Sequence, residues 1–159
     1  MTIRHKGLEH TVYGEAPFLG ARLCAIGCSR GCKGCHNEHL KDNVEVIEET
    51  VESVVGRVKR NPFNQGLILG GLEWTEQPEE MLELIRVAKD HGLKVMLYTH
   101  MGEEEFVDRF GRPSGIYVKH GEFVAGGEPH RQYGVQLANR EQYIIWYKWG
   151  ENIGNDNTC

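Results

Sequence analysis

The chain has 159 residues and a formal net charge of −5, with 23 Asp plus Glu against 18 Lys plus Arg. That balance argues against a general nucleic-acid-binding role, which needs concentrated cations to neutralise phosphates. No apolar run approaches the ~20 residues of a bilayer-spanning helix. The length suits a single compact domain, 1–159, able to bury roughly 70% of its unfolded surface.

In chain order, the first fifteen residues carry no readable pattern. Ala21 to Ile26 (ARLCAI) predicts a short strand that delivers the following loop at its carboxyl end. Val51, Val54, Val55 and Val58 recur at helical spacing and predict a helix from about Glu48 to Lys59, ended by Asn61-Pro62. Gly66 to Leu69 is a continuous apolar run suited to a strand buried on both faces, running into Gly70-Gly71. Pro78 opens a second helix with Met81, Leu84, Ile85 and Ala88 as its apolar face, and Gly92 closes it. Leu93 to Tyr98 predicts the next strand, Gly102 to Phe110 a short acidic helix, and Gly115 to Val118 another strand. Strands alternating with helices predict an α/β fold with a mostly parallel sheet and right-handed crossovers. The rhythm then breaks into a glycine-rich stretch, Gly121 to Gly134, and Tyr143 to Trp149 reads as an edge strand or a packed tail. The core is expected at about 20–146, with a mobile tail at 150–159.

Cys28, Cys32 and Cys35 form a CxxxCxxC run, CSRGCKGC. Three thiolates at this spacing can hold one side of a [4Fe–4S] cluster, which needs four ligands, and so leave one iron open to another molecule. Structural zinc usually takes four protein ligands, and no second cysteine pair exists; a zinc knot would have to recruit His36 or His39. Cys24 repeats the CxxxC spacing in overlap but lacks the following xxC, and reads as a small core residue. An odd count of five cysteines and no apolar secretory segment argue against a disulfide framework, so reduced thiols and a cytoplasmic location are expected.

In an open α/β sheet, ligands bind beyond the carboxyl ends of the strands. The cysteine loop, Gly70-Gly71, Thr99 and Lys119 follow four successive predicted strands, so one crevice would collect them.

With CxxxCxxC after the first of these strands and a glycine pair after the second, the chain resembles the radical S-adenosylmethionine superfamily. The resemblance implies a partial (β/α) barrel and a [4Fe–4S] cluster on Cys28, Cys32 and Cys35, whose open iron chelates S-adenosylmethionine. It further implies one-electron cleavage of the sulfonium, giving methionine and a 5′-deoxyadenosyl radical that removes a hydrogen atom from an unactivated C–H bond. Gly70 and Gly71 carry over as the loop where bare backbone approaches the methionine moiety. More narrowly, the chain is similar to the activating enzymes of anaerobic (class III) ribonucleotide reductases. Gly34-Cys35-His36-Asn37, Tyr98-Thr99, the segment YVKHGEF from Tyr117 to Phe123 and NREQY from Asn139 to Tyr143 carry that similarity. It implies a large reductase subunit as partner and an electron donor of the flavodoxin or ferredoxin type.

The chain departs from the family where Gly-Gly-Asp or Gly-Gly-Glu is usual, reading Gly70-Gly71-Leu72-Glu73. Glu73 is the candidate for holding the ammonium of S-adenosylmethionine, with a backbone carbonyl as the alternative. Thr99 is a candidate polar contact, Lys119 a candidate partner for a ligand carboxylate, and Trp74 a packing residue or part of a partner face. His36 and Asn37 support the cluster loop. Competing readings are a radical enzyme acting on another glycyl-radical enzyme or a small molecule, and a zinc- or cluster-binding module without catalysis.

Overall fold

The computed structural model describes residues 1–29 and 44–148. Cys32, Cys35, His36, Asn37 and His39, and the tail expected at 150–159, lie outside the described residues. The strands are β1 (Thr2–His5), β2 (Leu8–Val12), β3 (Gly20–Cys24), β4 (Ile47–Thr50), β5 (Gly66–Gly70), β6 (Lys94–Tyr98), β7 (Ile116–His120), β8 (His130–Gln132), β9 (Val135–Leu137) and β10 (Tyr143–Tyr147). Among the described residues the helices are α1 (Val51–Arg60), α2 (Pro78–Asp90) and α3 (Glu103–Phe110), with a 3-10 turn at Trp74–Glu76.

The main sheet has six strands in the order β10-β7-β6-β5-β3-β2. Its centre, β3-β5-β6-β7, is parallel, and β2 and β10 close the two edges antiparallel. The sheet is therefore mixed, and the segment from Tyr143 forms an edge strand. The central strands lie side by side in chain order without reversal. Right-handed crossovers then bring every connecting helix to the same face of the sheet.

The side chains bear this out. Leu67, Leu69, Val95, Leu97, Ile116 and Val118 share one core with Val51, Val54, Val55 and Val58 of α1, Met81 and Leu84 of α2, and Phe106 of α3. Ile68 and Met96 point the other way, into a second core with Val12, Phe18, Val135, Leu137 and Ile144. The β8–β9 hairpin and the connection after β2 thus cover part of the helix-free face.

Two local features differ from the sequence-based expectation. Helix α1 begins at Val51 rather than Glu48, because Thr50 Oγ1 accepts the Ser53 N–H at 3.1 Å as its N-cap. The residues before it pair as β4 with β1, Thr2 opposite Thr50 through His5 opposite Ile47. The uninformative first fifteen residues supply β1 and the edge strand β2. Helix α2 keeps Pro78 in its first turn and buries Met81, Leu84, Ile85, Val87 and Ala88.

Candidate metal and cofactor site

The carboxyl ends of β3, β5, β6 and β7 are joined to one another by hydrogen bonds. Ala25 N–H donates to Gly70 O (3.2 Å), Glu73 N–H to Gly27 O (2.9 Å), Thr99 N–H to Lys119 O (2.9 Å) and Gly121 N–H to Met101 O (3.2 Å). The cysteine loop, the glycine pair, Thr99 and Lys119 therefore gather at one end of the sheet.

Cys28 is half-buried and packs against the helix-side core. The loop leading to it is held by the β5–α2 connection: Ile26 N–H donates to Gln77 Oε1 at 2.8 Å. Ser29 N–H donates to both oxygens of Glu76 at 3.1 and 3.0 Å, and Ser29 Oγ to Glu76 Oε2 at 2.7 Å. Cys24, only 8% exposed, is a core residue. Its Sγ donates to Ala25 O at 3.3 Å, and burial pushes its thiol pKa up.

Cys24 also explains half of the glycine pair. Gly71 has φ +79°, and a Cβ there would overlap Cys24 Sγ and lie 2.9 Å from Cys24 Cβ. Both the left-handed backbone and the close approach demand glycine. Gly70 has no such constraint: a Cβ would sit 3.7 Å from Arg22 Cδ and 3.8 Å from Tyr98 Cδ1, in ordinary contact. Gly70 is itself buried, and on the helix-free face it lies between the Arg22 and Tyr98 side chains.

Glu73 is 5% exposed and accepts hydrogen bonds on both oxygens. Oε2 accepts Thr75 Oγ1 (2.6 Å), Thr99 Oγ1 (2.8 Å) and Thr75 N–H (3.3 Å), and Oε1 accepts His100 N–H (3.0 Å). The His100 imidazole Nε2 lies 3.8 Å from the same Oε1. Thr99, 1% exposed, in turn accepts Met101 N–H on its Oγ1 at 3.2 Å. Glu73 and Thr99 are thus brought together, as a strut between the loops after β5 and β6.

Lys119 is 7% exposed; its Nζ donates to Gly121 O at 3.1 Å and stands 5.6 Å over the Tyr98 ring. It shares the helix-free face with Tyr98 and Arg22. Arg22 pairs with Glu15 at 2.9 Å and Glu9 at 2.5 Å, and Tyr98 OH donates to Glu15 O at 2.6 Å. Burial pushes the Tyr98 pKa up, so this hydroxyl stays protonated. Arg22, Tyr98 and Lys119 are thus each engaged with protein partners on this polar stretch of the helix-free face. Trp74 is fully buried and its Nε1–H donates to Leu23 O at 3.1 Å, which makes it a packing residue.

Sequence reasoning missed Glu76, Gln77, Arg22 and His100. Gln77 and Glu76 reach the cysteine loop across 51 and 47 residues, a separation no local pattern encodes. Arg22 could have been found as the one cation inside the apolar strand ARLCAI.

An open hollow of about 500 Å³ lined by His10, Arg57, Arg60 and Phe63 lies beside the α1–β5 connection, away from the cysteine loop. Among the described residues no helix is long and apolar enough to cross a membrane.

No curated protein matches the chain. A family model described as "4Fe-4S single cluster domain" matches residues 19–120. That span runs from the start of β3 to the end of β7, and so takes in the four parallel strands, α1, α2 and α3, and the complete CxxxCxxC run. The chain belongs to the 4Fe-4S single cluster domain family.

Proposed function

We propose that this protein is a radical S-adenosylmethionine activase. It holds a [4Fe–4S] cluster on Cys28, Cys32 and Cys35, binds S-adenosylmethionine at the open iron, and generates a glycyl radical on the large subunit of an anaerobic ribonucleoside-triphosphate reductase. The observation that carries the reading is the junction of the loop leading to Cys28 with the loop after β5: Cys24 pairs with Gly70, Ala25 N–H donates to Gly70 O, and Glu73 N–H donates to Gly27 O. A cluster with only three cysteines has an iron to share.

When bound, the two groups supply one-electron cleavage of the sulfonium and removal of a hydrogen atom from a Cα–H bond. The chain's own residues supply position and shelter. Gly71 keeps the loop in its left-handed turn, Glu73 and Thr99 brace it against β6, and Arg22, Tyr98 and Lys119 make the neighbouring helix-free face polar. The finer fold reading, a partial (β/α) barrel of the radical S-adenosylmethionine type, is supported by the unreversed strand order with its helices on one face. The reductant is a flavodoxin- or ferredoxin-type protein, and the location is cytoplasmic.

A second reading is a cluster-binding electron carrier without S-adenosylmethionine chemistry. It is favoured by Glu73, whose carboxylate already accepts four protein donors and needs no ammonium to satisfy it. The two are separated by anaerobic incubation of the reduced protein with S-adenosylmethionine and the reductase subunit, followed by electron paramagnetic resonance. A glycyl-radical doublet that depends on Cys28, Cys32 and Cys35 supports the activase. Its absence, with a full cluster and a folded partner, refutes it.

A further inference from the structure

The residue at the N-cap of α2 makes no capping bond to its own helix: Gln77 spends its side chain elsewhere. Ser, Thr, Asp or Asn would serve a helix start better. Gln77 is 4% exposed and fully engaged. Its Oε1 accepts Ile26 N–H at 2.8 Å, and its Nε2 donates to Arg4 O at 2.9 Å and Glu80 Oε1 at 3.1 Å. Donors on one side and acceptors on the other fix the amide in a single orientation. Its backbone is equally set, with its N–H on Trp74 O at 2.9 Å and its carbonyl accepting Met81 N–H at 2.9 Å. Glu76, the residue before it, accepts from Ser29 N–H and Oγ, and Glu73 N–H donates to Gly27 O. Residues 26, 27 and 29, which bracket Cys28, are thus each held by the short segment 73–77.

We propose that Gln77 and Glu76 are positioning residues for the cluster: they fix the backbone that presents Cys28 and so set how firmly the cluster is retained. Glu76 also occupies the Ser29 N–H immediately after a ligand cysteine. Backbone N–H groups that reach cluster sulfurs raise the reduction potential, and a neighbouring carboxylate opposes it. Glu76 therefore biases the cluster toward low potential. The inference rests on the cluster reading of Cys28 and not on S-adenosylmethionine chemistry.

The test uses the full chain, reconstituted anaerobically, as wild type, Gln77→Leu, Glu76→Ala, Glu76→Gln and Val58→Ala. Val58 is a fully buried α1 residue outside the clamp, so its truncation weakens the fold without touching the loop. Iron and sulfide content, the rate of iron loss to a ferrous chelator, and the midpoint potential are measured. Gln77→Leu and Glu76→Ala should lose iron about tenfold faster, the factor one ordinary hydrogen bond commands. Glu76→Gln, which keeps an acceptor for Ser29, should stay near wild type in rate, and Val58→Ala should match wild type. The midpoint potential of Glu76→Ala should move positive. Wild-type rates and potential in both clamp variants, or equal iron loss in Val58→Ala and Gln77→Leu, would overturn the proposal. A wild type that takes up no iron would instead overturn the cluster reading beneath it.

Discussion

Replacing Glu73 probes the strut between the β5 and β6 loops, and its size follows from the bonds. The carboxylate accepts four donors, and two of these, the N–H groups of Thr75 and His100, cannot reverse their role. The hydroxyls of Thr75 and Thr99 can. Glu73→Gln must place its amide nitrogen at one oxygen position. At Oε1 it meets His100 N–H donor to donor; at Oε2 it can donate to the two hydroxyls but orphans the long bond from Thr75 N–H. The cheaper arrangement loses one hydrogen bond and the charge assistance of the rest, about 1–3 kcal/mol. Glu73→Ala strands all four donors in a buried site and should cost about 3–5 kcal/mol. For a chain of this length each kcal/mol lowers Tm by about 2–4 °C. Urea and thermal denaturation under anaerobic, reducing conditions measure both variants. A cycle with Thr99→Val should show a coupling of about 1 kcal/mol through the Oγ1 to Oε2 bond. A Glu73→Ala protein within about 0.5 kcal/mol of wild type, or additive Glu73 and Thr99 variants, would refute the strut.

Two further outcomes concern acid and the glycine pair. His120 is buried with Nδ1–H donating to Met101 O and Nε2 accepting from Tyr147 OH. Burial, reinforced by the neighbouring Lys119, holds its pKa down from 6.5 to about 4. A depressed folded-state pKa gives stability that is complete above pH 6.5 and drains away as pH falls toward 4, up to about 3 kcal/mol. A second loss sets in between pH 4.5 and 2 as Glu49 is protonated, its pKa held near 2 chiefly by its hydrogen bonds from Arg57. Denaturation midpoints at pH 7.5, 6.5, 5 and 4 should show the first loss in wild type and not in His120→Gln; equal pH slopes would contradict it. Gly71→Ala should destabilise the chain by at least about 2 kcal/mol through left-handed strain and overlap with Cys24. Gly70→Ala should cost less than about 1 kcal/mol yet weaken S-adenosylmethionine binding in a calorimetric titration. A Gly71→Ala protein as stable as Gly70→Ala would refute that division of roles.

The four parallel strands and three helices were legible because each carries its signal locally: continuous apolar runs at Leu67–Leu69 and Val95–Leu97, and a buried valine stripe at helical spacing in α1. β1 and β4 were not, because their partners lie about forty-five residues apart and both strands are rich in polar residues. The same distinction runs through the site. Cys24 and Trp74 read correctly as packing residues from type and context. Glu73 was picked out by its place after the glycines, but its four donors come from residues whose approach only the folded sheet determines. Gln77 carried no signal in the sequence, because its side chain serves a loop fifty-one positions away.

The measurement closest to the central claim is made on anaerobically reconstituted protein. Iron and sulfide content are determined together with 5′-deoxyadenosine released from S-adenosylmethionine under dithionite, for wild type and Cys32→Ala. The account predicts about four irons per chain and release that Cys32→Ala abolishes. A chain that binds no iron, or a full cluster with no 5′-deoxyadenosine, would contradict it.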